Sequence, residues 1–350
     1  MINYTTTKIL VIVLFLMQIT FSANAVNNND NVLKNVSEIA DELSEISEFR
    51  AIAISKDGEL ILEKYYNNET SEPHNNLHIM SVTKSITSLL VGIAIDYGFI
   101  QNIDQRLSEL INGEVFEMNE KFANLTLKQL MTMQAGFEWN CFDPLEYKSW
   151  ITYPDQLEYI FNKSFLENPG ENFQYNEGAA HLLSVVLSET TGLKMLDFAN
   201  EFLFSPLEIG KRRWNVDNRG YNMGGIGLIL TVKDMLKIGG LILNDGFYNG
   251  QQIISKEWII ESTTAHANAP GYIPYSAKYG YYWWTGKILD QSYILAMGYG
   301  GQFIFIFKEL NLVIATLSSY LNNSNIIFNN SDQIFTSIIM NIVNDQTNST

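Results

Sequence analysis

Cysteine is all but missing from this sequence. Cys141 is the only one in 350 residues, so no internal disulfide can form and stability has to come from packing. It has no accompanying motif, and a partly buried thiol is its expected role. Histidine is almost as scarce: His74, His78, His181 and His266 share no metal-ligand spacing, and no metal site is expected. Positive charge is short too, with 22 Lys and Arg against 38 Asp and Glu and a formal net charge of −16. No basic run offsets that acidity, which argues against nucleic acid as a partner. Long apolar runs are missing beyond the N-terminus. Segments 226–230 and 241–243 are short and broken by glycine or charge, so the body of the chain is not expected to insert stably in a membrane.

What is present is ample material for a core. A hydrophobic fraction of 46% and an aromatic fraction of 13%, with only 17% charged residues, describe a folded globular chain. A length of 350 residues fits one domain carrying an inserted subdomain. The first 25 residues read as a cleavable export signal: Lys8 supplies the positive start, 9–17 the apolar run, and Ala23-Asn24-Ala25 the small-residue cleavage site. The expectation is a mature domain over residues 26–345, in the periplasm or outside the cell.

Periodicity lays out the rest. Val36, Ile39, Leu43 and Ile46 fall at helical spacing and predict a leading helix. Residues 51–55 and 59–66 are β-prone runs joined by Lys56-Asp57-Gly58, and Asp-Gly predicts a tight hairpin turn. Residues 80–97 carry Ile86, Leu89, Leu90, Ile93 and Ala94 on one side, with Gly98 as the stop, which predicts a buried helix. From about 104 to 215 helical patterns alternate with Gly, Pro and Asn, clearest at 127–133 and 181–191. A further amphipathic helix follows at 231–243, capped by Thr231. Strand-like runs at 280–285, 292–297, 302–308 and 312–318 form a meander, and 332–343 is helical again. Asn-rich patches at 27–32 and 322–330 read as loop or tail. Strands at both ends with helices between them predict an α+β fold, an α/β sandwich. Its antiparallel sheet is built from both termini and flanked by helices, with a mainly helical insert. The sheet part is about 26–100 and 225–345, the helical part about 101–224.

Ser81-Val82-Thr83-Lys84 sets a hydroxyl and an amine three residues apart at a helix start, so both project from one face. A serine hydroxyl is a poor nucleophile until a neighbour takes its proton, and a lysine whose charge is discouraged by burial can do so. The helix N-terminus favours a developing oxyanion. The other pieces follow in order. Tyr175-Asn176-Glu177 lies in the context Pro169-Gly170-Glu171-Asn172-Phe173-Gln174, and Tyr299-Gly300-Gly301-Gln302 follows the run 292–297.

In motif order and spacing, from about residue 50 to 320, the chain resembles the class C β-lactamase and penicillin-binding family of serine hydrolases. That family carries Ser-x-x-Lys, then Tyr-x-Asn, then Lys-Thr-Gly or a variant on a late strand. Leu130-Met131-Thr132-Met133-Gln134-Ala135-Gly136 and Gly224-Gly225-Ile226-Gly227-Leu228 resemble its esterase and 6-aminohexanoate-dimer-hydrolase branch. The resemblance implies a β-lactamase/transpeptidase-like fold and no cofactor. It implies Ser81 as the acylated nucleophile, Lys84 and Tyr175 as its proton handlers, and the backbone N–H groups of Ser81 and Gln302 as the oxyanion hole.

Two departures bear on substrate. Glu177 stands where the family has Asn, and an ionised carboxylate only accepts hydrogen bonds. Tyr299 stands where the family has a Lys that suits a substrate carboxylate. Glu177, Tyr299, Gly300, Gly301 and Trp139 are the expected substrate-binding residues, with Trp283 and Trp284 as core or pocket wall. The favoured substrate is a small ester or amide; a β-lactamase or D-amino-acid peptidase is the alternative. A binding or sensor protein that kept the fold and lost turnover is the rival from outside enzymes.

Overall fold

The computed structural model describes residues 36–46, 48–66, 77–111, 116–270, 278–319 and 331–348. The expected signal, both Asn-rich patches, the start of the leading helix and His74 lie outside the described residues. Among the described residues the centre is an eight-stranded antiparallel sheet. Its strands are β1 (Phe49–Lys56), β2 (Glu59–Tyr65), β7 (Ala267–Asn268), β8 (Lys278–Tyr279), β9 (Trp284–Ile288), β10 (Gln291–Gly298), β11 (Gln302–Phe307) and β12 (Leu312–Ser318), in the order β2-β1-β12-β11-β10-β9-β8-β7. Two short pairs stand apart, β3 (Leu77–His78) on β4 (Ile229–Leu230) and β5 (Phe247–Tyr248) on β6 (Gln251–Gln252).

The β1–β2 hairpin turns through Asp57 and Gly58 with φ of 53° and 84°. Both signs are positive, the geometry that matches the twist of the flanking strands and that Asp-Gly tolerates. β12 joins β1 to β11, so the N-terminal hairpin and the C-terminal meander make one sheet, as the sequence implied. Its residues are all buried because helices cover both faces. On one face lies α4 (Val232–Leu243), whose Gly239 approaches so closely that a Cβ there would stand 2.3 Å from Val313 Cγ1. On the other face Phe335 packs on Phe305 at 5.3 Å.

The buried helix is α1 (Val82–Asp96), apolar nearly all round because it lies between the sheet and α3 (Glu177–Thr191). Gly98, at φ 76°, follows its end. Between α1 and β4 the regular structure of the described chain is helical, and several of these helices begin on side-chain caps. Asn119, Asp143, Asp155 and Asn176 each accept backbone N–H groups, and Thr126 forms a capping box with Gln129 at the start of α2 (Leu127–Met131). Thr231 caps α4 in the same way.

One strand is misplaced by sequence reading. Residues 280–283 are not in the ladder; β9 begins at Trp284. Tyr282 has φ 64°, and the Tyr281 and Tyr282 N–H groups donate to Ser262 O and Met131 O at 2.8 and 3.2 Å. This aromatic stretch is spent on packing, with Tyr281, Tyr282 and Trp283 each at most 1% exposed. In the described part of the leading helix, 36–41 is α-helical and Glu42–Glu45 is a 3-10 turn, with Val36, Leu43 and Ile46 buried.

Candidate active site

The site is assembled at the entry to α1. β3 pairs with β4, and Ile79 N–H donates to Leu228 O at 3.0 Å, fixing the strand just before Ser81. The chain then turns sharply: Met80 holds φ 49°, rare for a residue with a side chain, and Val82 and Thr83 N–H return to Ile79 O and Met80 O at 3.2 and 3.1 Å. Ser81 is presented at the N-terminal end of α1, half-buried. Among the described residues nothing accepts a hydrogen bond from its backbone N–H.

Lys84 lies one turn on, and its Nζ donates to Ser81 Oγ at 2.9 Å. The Lys84 side chain is 1% exposed. Its amine also donates to Gly225 O at 3.2 Å, lies over the Tyr175 ring at 4.6 Å from the centroid, and stands 3.7 Å from Glu177 Oε1. Burial pushes the amine below the ordinary lysine range, against an opposing pull from Glu177 and, more weakly, Cys141. That is the environment a lysine needs to act as a base.

Tyr175 and Glu177 arrive from the segment that opens α3. The Asn176 side chain caps this helix by accepting from Ala179 N–H at 2.9 Å, so it points into the helix start. The Tyr175 ring stacks on Trp284 at 5.9 Å with an interplanar angle of 20°, and meets the edge of Tyr279 at 6.4 Å. The Tyr279 and Tyr282 phenols are held well above the usual tyrosine range, first by burial and then by facing Tyr175. Glu177 Oε2 accepts from Trp139 Nε1 at 2.6 Å. Trp139 is 2% exposed and packs on Trp150 at 5.4 Å, so its indole stands behind Glu177 and not on an open cleft wall.

The third piece is the β10–β11 hairpin tip. Gly300 and Gly301 turn it with φ of 90° and 91°, and Tyr299 is half-buried there, its phenol raised by burial and therefore neutral near pH 7. The tip presses on the turn before Ser81: a Cβ on Gly298 would lie 2.5 Å from Ile79 O and 3.2 Å from Met80 Cβ. Gln302 is fully buried, and its side-chain amide is committed to the sheet, donating to Ser318 O at 2.7 Å and accepting from Ser318 N–H at 3.0 Å. Thr316 Oγ1 donates to Gly301 O at 2.8 Å, a second tie that fixes the tip.

Sequence reasoning did not assign the Gly224–Gly225 loop to the site. Gly225 supplies the carbonyl that holds Lys84, and a Cβ on it would lie 3.2 Å from Lys84 Nζ. At Gly224 a Cβ would lie 2.1 Å from Ala180 O. The Gly224 N–H donates to His181 Nδ1 at 3.4 Å, so that nitrogen is an acceptor and the proton is on Nε2, which reaches Asp217 Oδ2 at 3.0 Å. Thr87 Oγ1 donates to Gly224 O at 2.7 Å. The consecutive glycines were the available signal; the buried His181–Asp217 pair behind them had none. Among the described residues no group of three His, Cys, Asp or Glu is placed to hold a metal ion, and no helix is long and apolar enough to cross a membrane.

A family model described as Beta-lactamase matches residues 46–327. The 6-aminohexanoate-dimer hydrolase of Paenarthrobacter ureafaciens is 24% identical over 289 residues, covering 75% of this chain and 71% of that protein. Among solved structures, one from Bacillus anthracis provisionally named a 6-aminohexanoate-dimer hydrolase superposes with a TM-score of 0.72 at 23% identity, covering 87% of this chain and 82% of its own. An octameric penicillin-binding protein homologue from Pyrococcus abyssi does so with a TM-score of 0.64 at 18% identity, covering 87% and 77%.

Proposed function

As a member of the beta-lactamase family this chain is a hydrolase, and we propose that it cleaves small esters or amides through an acyl-enzyme on Ser81. The observation that carries the reading is the 2.9 Å contact between the Ser81 hydroxyl and the amine of a buried lysine. In the acylation step Ser81 Oγ forms a bond to the substrate carbonyl carbon while its proton passes to Lys84 or Tyr175. The proton then leaves with the departing alkoxide or amine. Water takes the same path in reverse to release the acid. Ser81 N–H and Gln302 N–H serve the oxyanion in this proposal, where one such donor is worth about 3 to 4 kcal/mol.

Substrate preference follows from charge. Tyr299 brings no cation to the hairpin tip, and Glu177 adds a carboxylate beside Lys84, so neither welcomes a substrate carboxylate. A small uncharged ester or amide is the proposed substrate, ahead of an anionic β-lactam or a peptide ending in a D-amino acid. The proposed cleft lies between the sheet part, about 26–100 and 225–345, and the helical part, about 101–224. Ser81 and Gly298 come from the first, Tyr175 and Glu177 from the second. Export belongs to the same proposal, supported by Lys8, the apolar run 9–17 and Ala23-Asn24-Ala25. A panel of neutral esters and short amides against cephalosporins tests it: the neutral compounds turn over faster, and cephalosporin hydrolysis far above every neutral compound refutes the preference.

A further inference from the structure

Glu177 breaks the family pattern, and its surroundings give the reason. Its two oxygens are both engaged: Oε2 takes the Trp139 indole N–H at 2.6 Å, and Oε1 faces Lys84 Nζ at 3.7 Å. It is the first residue of α3, where the helix end favours negative charge. Its side chain is only 13% exposed, which leaves little of it for a substrate. Lys84 in turn contacts Ser81 Oγ. Trp139, Glu177, Lys84 and Ser81 therefore form a line of side chains, with a nucleophile, its base, a group facing the base and an indole that fixes that group.

We propose that Glu177 is a positioning residue for acylation, holding Lys84 against Ser81 and balancing the ammonium that Lys84 becomes when it takes the serine proton. The inference rests on the acyl-enzyme reading. In the step, the Ser81 O–H bond breaks and its proton moves to Nζ, while Oγ bonds to the carbonyl carbon as the carbonyl π pair moves onto its oxygen. That pair returns to break the bond to the alkoxide or amine, which leaves with the proton from Nζ, and Glu177 stays a carboxylate throughout. This parallels the logic by which a buried acid steadies a protonated base without accepting its proton. A substrate-binding role, the expectation from sequence, would need Glu177 turned away from both partners.

The test is Glu177→Gln, which keeps the shape and an acceptor for Trp139 but removes the charge, assayed with p-nitrophenyl acetate across pH. The anion draws a proton onto Lys84, so its loss lets Lys84 shed that proton at lower pH. The other groups facing the pair, Cys141 and Tyr175 around Lys84 and Tyr279 beside Glu177, are unchanged. The acid limb of the acylation rate moves down by about one pH unit or more, the plateau rate falls at least tenfold, and KM stays within about twofold. A tenfold or greater rise in KM with an unmoved acid limb assigns Glu177 to substrate and overturns the proposal, as does a profile identical to the native one. Glu177→Asp, which keeps the charge, retains the native acid limb if the proposal holds. Should Glu177→Gln fail to fold, Trp139→Phe takes the indole N–H from Glu177 together with part of the buried ring; in a variant that keeps the native circular dichroism, slower acylation at unchanged KM is expected, and an unchanged rate overturns the proposal. Labelling of native Ser81 by a fluorophosphonate is measured in parallel, so failure of the acyl-enzyme reading itself registers separately.

Discussion

Gly298 and Ile79 are in backbone contact: a Cβ on Gly298 would stand 2.5 Å from the Ile79 carbonyl oxygen. The hairpin tip and the turn before Ser81 thus touch without a side chain between them, and the glycine sets how near the two motifs lie. Gly298→Ala forces one of them to move. Overpacking of this kind costs about 1–3 kcal/mol, and ester turnover is expected to fall at least tenfold because Ser81 shifts relative to the tip. Urea denaturation and steady-state kinetics check both; native turnover in that variant contradicts the contact.

The lowered Lys84 amine sets a pH dependence with a definite sign. Burial, its largest cause, makes the folded state release this proton more readily than the unfolded chain does. Below the folded value the buried ammonium burdens the fold. As pH climbs from the folded value towards the ordinary lysine value of about 10.4, that burden is relieved and stability rises. In the proposed acyl-enzyme cycle activity is gained as pH rises through the folded value, because only the neutral amine takes the Ser81 proton. The expected kcat/KM profile for a neutral ester has an acid limb whose midpoint lies below the ordinary lysine value, and Lys84→Met removes both the limb and the stability gain.

His181 holds the Gly224–Gly225 loop from behind. His181→Phe leaves the Gly224 N–H and Asp217 Oδ2 without their partner, while Oδ1 keeps the Arg219 and Tyr221 N–H groups, and an unsatisfied buried polar group costs about 1–3 kcal/mol. A lower denaturation midpoint is expected, together with reduced turnover, since Gly225 O holds Lys84. Turnover unaffected in a destabilised variant would uncouple the loop from the site.

Much of this was legible in the sequence where the signal is local. Asp57-Gly58 carries its own turn geometry, Thr231 its own cap, and Ser81 and Lys84 are held to one face by helix spacing alone. The sheet built from both chain ends followed from where the β-prone runs fall. What escaped depends on meetings between distant segments. The Trp139–Glu177 hydrogen bond joins residues 38 apart, and neither residue type announces the other. Gly225 and His181 meet Lys84 and Gly224 only after folding. Residues 280–283 looked like strand because they are aromatic, yet tertiary packing drew Tyr282 into φ 64° and moved the strand start to Trp284.

The most direct test of the acyl-enzyme is covalent. Incubation with a fluorophosphonate probe followed by intact and peptide mass measurement is expected to show one adduct, on Ser81, absent from a Ser81→Ala variant that keeps the native circular dichroism and melting temperature but turns over no ester. No adduct on the folded native protein, an adduct on another residue, or full activity in Ser81→Ala would contradict it.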